Sequence, residues 1–467
     1  MGTIYSMLPT SRWARPAWRW LTGLVLLIVL AGAAIAIALE VTPQQTVIVA
    51  GQMIQVGAST PSLSLSGPGE VDLFGQSLPT NVQFAGPVRP RLQLSQITIN
   101  SELTTFVEGN HPVASERILG ARLADGWKRY FFWETAVTGV TALILVGAVA
   151  GWRRSTRRST VKLLIAGLAV AEAINLGAIM STAYTAPALL GRVHSLNDLV
   201  GTETHLPRIH PTGPQLPKVQ AVVMGDSTAA GAGLTPLPGS SATARNCGRS
   251  SDSYAADLSA ANDWKVLNLA CDSATISNGL LGPQTHDGQT LQPQLAVAER
   301  AGKASIIIIS VGADDLNWAA EVKYCSTTPN CDDKATTAYF QQQLAEFSKN
   351  YLDLLSRLAA LPNHPQVIIN QYYDPFGAEP GCLSQAGLST ANLKTLVSRL
   401  NTLNTVLAKG AAQFGFASPQ PDFAGHQLCT PQPYVQGLDA AAPFHPTVLG
   451  QLAIALADQA VLHRLSA

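Results

Sequence analysis

Three long apolar runs decide most of what this chain can become. They cover residues 18–39, 131–152 and 163–190, the first reading WRWLTGLVLLIVLAGAAIAIAL. At 1.5 Å per residue each is long enough to cross a hydrocarbon core of about 30 Å as a helix, a form that satisfies its own backbone polar groups in lipid. A cleaved signal peptide is the rival reading of the first run. That run exceeds the usual apolar length of about 7–15 residues, and Glu40 follows it without an A-x-A cleavage site. Composition agrees, since 47% of residues are hydrophobic and only 13% are charged.

Basic residues set the orientation. Arg12, Arg15 and Arg19 mark the amino-terminal tail, and Arg153, Arg154, Arg157, Arg158 and Lys162 fill the loop between the second and third runs. The positive-inside rule places both on the cytoplasmic side. Residues 40–130 and everything after 190 then lie outside. All six cysteines fall in that last region, and their even number suggests disulfides formed in an oxidising compartment. Six cysteines allow 15 pairings. The simplest is between neighbours: Cys247 with Cys271, Cys325 with Cys331, and Cys382 with Cys429. Thirty basic residues balance thirty acidic ones, so the charge gives no reason to expect a nucleic-acid partner.

The expected order is a cytoplasmic tail (1–17), a first span (18–39), an extracytoplasmic β-rich module (40–130), a second span (131–152), a basic cytoplasmic loop (153–162), a third span (163–190), a Pro-rich linker (191–217) and an α/β domain (218–467). Within the module, alternation at 92–94 and 97–99 predicts short antiparallel strands in a small sandwich-like unit. Pro207, Pro211, Pro214 and Pro217 make the linker an extended tether. Its histidines, His194, His205 and His210, lack metal-ligand spacing, so no metal is assigned. In the third span Glu172 and Asn175 lie three residues apart on one helix face. With no second ionisable residue counted at that depth, they read as a helix-packing contact or a docking point for a membrane-protein partner.

After the linker, β-rich runs at 219–224, 265–269, 304–310 and 366–371 alternate with helical patterns near 251–261, 291–302, 335–360, 388–414 and 446–465. That alternation predicts a parallel sheet covered on both faces, with functional groups gathered at the carboxyl ends of its strands. The first run, VQAVVM, passes directly into Gly225-Asp226-Ser227 and then GAG at 231–233. A serine at a strand end can present its hydroxyl beside its own N–H at a helix start. Near the other end, Phe444-His445-Pro446 opens the last helix. A histidine there can return to the serine as the general base that a neutral hydroxyl needs.

Taken together, GDSTAAGAG at 225–233, CGRSSDSYA at 247–255, NLACDSAT at 268–275, VGADD at 311–315 and FHP at 444–446 resemble the SGNH or GDSL hydrolases, in particular their secreted actinobacterial esterase and lipase branch with three disulfides. The resemblance covers about 250 residues. It implies a three-layer α/β/α sandwich, no cofactor, Ser227 as nucleophile and His445 as base. It also implies an oxyanion hole built from the N–H of Ser227, the N–H of Ser273 and the side chain of Asp314. Three positions depart from the family pattern. Serine stands for glycine at 273, which is tolerable if φ there need not be positive. Aspartate stands for asparagine at 314, and a carboxylate donates a hydrogen bond only when protonated. Alanine at 442 stands where the family's acid precedes the histidine. Either a main-chain carbonyl near Ala442 orients the ring, giving a Ser-His dyad, or Asp439 does. The function implied is an ester hydrolase held at the membrane, acting through an acyl-serine on lipid or acylated glycan of the envelope, with an acyltransferase or a non-catalytic binding domain as alternatives.

Overall fold

The computed structural model describes residues 14–49, 52–59, 64, 66–96, 113–190, 209, 212–286, 288–377 and 381–466. The strand expected at 97–99, Arg12, the three linker histidines, Pro207 and Pro211 lie outside them.

The apolar runs form helices α1 (Ala14–Val41), α2 (Val113–Trp152) and α3 (Arg157–Leu190). Each contains a stretch long and apolar enough to cross a membrane: Leu21–Val41, Asp125–Trp152 and Arg157–Met180. Their mutual contacts use small side chains, Ala31, Ala34, Ala142 and Ala171, which let helix backbones approach closely. Glu134 in α2 corrects the count of ionisable residues at mid-span. Asn175 donates to its Oε2 at 2.8 Å and Thr138 to its Oε1 at 2.8 Å, and all three side chains are buried. Asn175 is therefore committed to packing α3 on α2. A lone glutamate in the run FFWETAV was masked by its apolar neighbours.

Five strands, β1 (Gln45–Val49), β2 (Gln52–Ala58), β3 (Ser66–Leu73), β4 (Gln76–Ala85) and β5 (Pro90–Gln96), form a single sheet in the order β1-β2-β5-β3-β4. Neighbours are antiparallel except β3 and β5, which run parallel. Among the described residues this is one sheet and not a sandwich, because a helix takes the place of a second sheet. Helix α2 starts at Val113, ahead of its apolar stretch, and Trp127 near the start of that stretch donates from its indole nitrogen to Gly57 O at 2.9 Å. Leu119, Leu123, Trp127 and Tyr130 recur at helical spacing among charged residues, an amphipathic pattern that runs on into the apolar span.

The carboxy-terminal sheet holds four parallel strands, β6 (Ala221–Gly225), β7 (Val266–Asn268), β10 (Ile306–Ser310) and β11 (Gln366–Ile369), in the order β7-β6-β10-β11. A separate hairpin, β8 (Gln284–His286) and β9 (Gln289–Leu291), lies outside it. β6 and β10 are buried along their whole length, which explains their uninterrupted apolar sequences. The associated helices are α4 (Ser227–Ala230), α5 (Ala242–Asn246), α6 (Tyr254–Asn262), α7 (Gln294–Glu299), α8 (Trp318–Thr327), α9 (Lys334–Ala359), α10 (Thr390–Gln413) and α11 (Val448–Ser466). Val222, Met224, Ile307 and Ile309 pack with α7 and α9, while Ala221, Val223, Ile306 and Ile308 pack with α6 and α11. Alternate residues thus face alternate helical layers, giving the three-layer α/β/α arrangement. Chain order reverses between β6 and β10, which makes the crevice beyond their carboxyl ends the switch point where such sheets bind ligands.

Candidate active site

β6 ends on Gly225 with φ +140°, and a Cβ there would strike the carbonyl of Ser310 at 2.0 Å. Glycine lets the two central strand ends close together, with Asp226 N donating to Ser310 O at 3.0 Å. Asp226 then caps the following turn by accepting from Thr228 N at 2.9 Å, and its second oxygen accepts from the Tyr372 hydroxyl. Burial pushes its carboxyl up to about 7. Ser227 opens α4, so its N–H is among those a helix start leaves without an intrahelical partner.

His445 reaches this serine across 218 residues of sequence, its Nε2 standing 2.8 Å from Ser227 Oγ. Nδ1 lies 3.0 Å from the carbonyl of Pro443. Donation from Nδ1 to that carbonyl leaves Nε2 free to accept the serine proton. Of the two orienting groups considered from sequence, the main chain is the one that meets the ring, at Pro443 and not at Ala442. Asp439 is exposed, and the histidine nitrogen is committed elsewhere. Gln436, which sequence reasoning missed, ties the two loops together. Its Nε2 donates to Ala232 O at 2.8 Å and to Pro446 O at 3.0 Å, and its backbone N donates to His445 O at 2.7 Å.

All three expected disulfides are present, joining Cys247 to Cys271, Cys325 to Cys331 and Cys382 to Cys429. The first holds the loop that bears Ser273. There φ is +60°, so the condition for an easy glycine-to-serine exchange is not met. A left-handed serine costs on the order of 1 kcal/mol. The main-chain N–H is nevertheless the same group a glycine would offer.

Asp314 lies on the turn after β10. Its Oδ2 is buried without a hydrogen-bond partner. Burial first, then the carboxylates of Asp226 and Asp272, push it up to about 8. Asp226 adjoins Ser227 and Asp272 adjoins Ser273. Asp315 is used differently: its carboxylate accepts from Ile276 N at 3.0 Å and pins the Ser273 loop to this turn.

Tyr372, also missed from sequence, joins the two central turns. Its hydroxyl accepts from Ala313 N at 3.0 Å while donating to Asp226, and Asn404 fixes its backbone through N and O at 2.8 Å each. Replacing Tyr372 with phenylalanine leaves a buried N–H and a buried carboxyl short of a partner. Urea unfolding of this variant is expected to show a loss of about 1–3 kcal/mol; an unchanged midpoint would remove Tyr372 from this role.

A parallel α/β sheet that brings a serine hydroxyl and a histidine into contact at its switch point has the form of a hydrolase domain. Residues 223–453 match the GDSL-like Lipase/Acylhydrolase family model, and the carboxy-terminal domain is a member of that SGNH/GDSL group. A lipase of Streptomyces rimosus is 29% identical over 248 residues, covering 50% of this chain and 84% of the relative. Lipase 1 of Streptomyces coelicolor is 27% identical over 243 residues, covering 49% and 81%. The crystal structure of the extracellular lipase from Streptomyces rimosus aligns with 51% of this chain and 97% of its own at 24% identity, with a TM-score of 0.40.

Proposed function

We propose that this chain is a membrane-anchored, extracytoplasmic serine ester hydrolase in which Ser227 attacks the ester carbonyl and His445 takes its proton. The observation that carries this reading is the 2.8 Å contact between His445 Nε2 and Ser227 Oγ. As the hydroxyl adds to the carbonyl, the developing oxyanion is met by the N–H groups of Ser227 and Ser273 and by the protonated carboxyl of Asp314. His445 then returns its proton to the leaving alcohol, giving an acyl-serine that water hydrolyses by the same steps in reverse order. A protonated Asp314 donates where an ionised one would repel.

Lipid and acylated-glycan esters of the envelope are the proposed substrates. Support comes from α11, which begins three residues after His445 and exposes Val448 at 50%, Leu449 at 50%, Leu452 at 41% and Leu456 at 61%. Such an uncharged aliphatic stripe beside the base suits an acyl chain. The three apolar helices and the disulfides support anchoring with this domain outside the cell. Of the pair Glu172 and Asn175 little is left for a membrane-protein partner to touch, since Asn175 is buried against Glu134, Glu172 Oε2 is buried and Glu172 Oε1 lies against Gly139 of α2.

Covalent labelling tests the nucleophile. A serine-reactive phosphonate is expected to modify Ser227 in the parent protein, located by peptide mass spectrometry, and to react at least about a hundredfold more slowly with His445→Ala. Equal labelling of both proteins would mean that the histidine does not activate this serine.

A further inference from the structure

The β module sends one aromatic side chain into the carboxy-terminal domain. Phe74, at the tip of the β3–β4 hairpin, is fully buried and sits at φ +56°, a left-handed conformation that a bulky residue rarely adopts. Gly75 follows at φ +83°, its N–H capped by Asp72 Oδ1 at 2.8 Å, and it lies so close to the Lys409 side chain that a Cβ would collide with it. Unfavourable backbone geometry persists where surrounding contacts over-determine it. Here those contacts belong to the other domain.

The Phe74 ring meets Tyr351 of α9 edge-on, with centroids 5.5 Å apart. Tyr351 stacks on Phe347 of the same helix at 5.4 Å, and its hydroxyl is fixed by donation to Leu407 O at 2.9 Å. Phe347 in turn lies against Gly312, where an added Cβ would stand 3.3 Å from the ring and 3.2 Å from Leu403. Gly312 begins the turn that carries Asp314. A close-packed series of rings therefore runs from the membrane-proximal module to this turn, and packed interiors transmit displacement because they hold few voids.

We infer that the β module is a positioning element for the Asp314 turn, with Phe74 as the wedge that holds Tyr351 and Phe347 against Gly312. That Asp314 meets the reacting oxygen is taken from the proposed function; the packing series does not depend on it. Without the wedge, the two rings gain room to tilt and the turn loses its support on one side. A displacement of a fraction of an ångström there weakens oxyanion contacts more than substrate binding, so the defect belongs in kcat.

The test uses the full chain. Phe74→Ala is expected to raise amide hydrogen exchange about tenfold in the peptide covering 312–317 and to lower kcat on a short-chain ester about tenfold, with KM within about twofold. Phe74→Leu refills most of the space and is expected to restore most of both. Val56→Ala, buried in the same module beneath α2, controls for general loosening of the module and is expected to leave exchange at 312–317 unchanged. Parent-like exchange at 312–317 in Phe74→Ala, or equal effects from Phe74→Ala and Val56→Ala, would overturn the inference. Should the parent show no Ser227-dependent hydrolysis, the proposed function fails while the exchange measurement still decides this one.

Discussion

Replacing Ser227 with alanine is expected to lower the hydrolysis of short- and long-chain acyl esters by the full-length protein by about 10⁴- to 10⁶-fold. The loss is large because the hydroxyl forms the bond that defines the intermediate, and among the described residues Ser227 Oγ is the group that meets His445 Nε2. Binding should survive, since alanine removes only one oxygen. Steady-state rates with a chromogenic ester, together with product inhibition as a measure of binding, check both parts. Equal rates from parent and variant would transfer the activity to another group or to a contaminant, and the assignment of Ser227 would fail.

The second large effect concerns Asp314 and pH. Burial and the carboxylates of Asp226 and Asp272 hold its carboxyl up to about 8, and Asp315 and the hydroxyl of Tyr372 also face it. A group raised in this way is neutral below that pH and charged above it. Oxyanion donation is therefore available below about 8 and fades as pH rises through it. kcat should fall on the alkaline side, with a limb approaching tenfold per pH unit. By pH 9.5 the parent should retain about 3% of its maximum, until the floor set by losing one donor, about 10² to 10³, is reached. Asp314→Asn carries a donor at every pH, so its rate should hold steady through this range and exceed the parent about 30-fold at pH 9.5. A gain of 10² to 10³ at all pH values would instead mean that Asp314 is ionised in the parent, leaving an impaired hydrolase. Inactivity of both proteins would favour a domain that only binds.

Much of this was legible in the amino-acid sequence, for reasons that differ from element to element. The runs AVVM and IIII announce central strands because both faces of a buried parallel strand must be apolar. Ser227 and His445 were legible because strand ends and helix starts carry recognisable residues. Pro443 as the orienting group was only half legible, since a carbonyl belongs to every residue and its aim depends on φ and ψ. Gln436 and Tyr372 were invisible for a related reason: amides and phenols have no spacing rule, and their value here comes from bridging loops distant in the chain. The positive φ at Ser273 could have been suspected from the glycine it replaces. The single sheet of the β module was misread because alternation reports that one face is buried but not what buries it. Glu134 was missed because an averaged apolar window conceals one carboxylate.

The use of Pro443's carbonyl beneath His445 has a consequence for how this site can change. An aspartate in that place would be a charge, open to deletion by one codon and to neutralisation by acid. A peptide oxygen is neither, because every amino acid placed at 443 brings the same acceptor with it. Substitution can disturb the ring's orientation only by bending the backbone, which the Gln436 side-chain amide and the Tyr373 hydroxyl hold from either side through Pro446 O and Phe444 O. The vulnerable part of the imidazole's alignment is thus the path of the loop, and drift in this lineage should be freer at residue 443 than at the two side chains that clamp it.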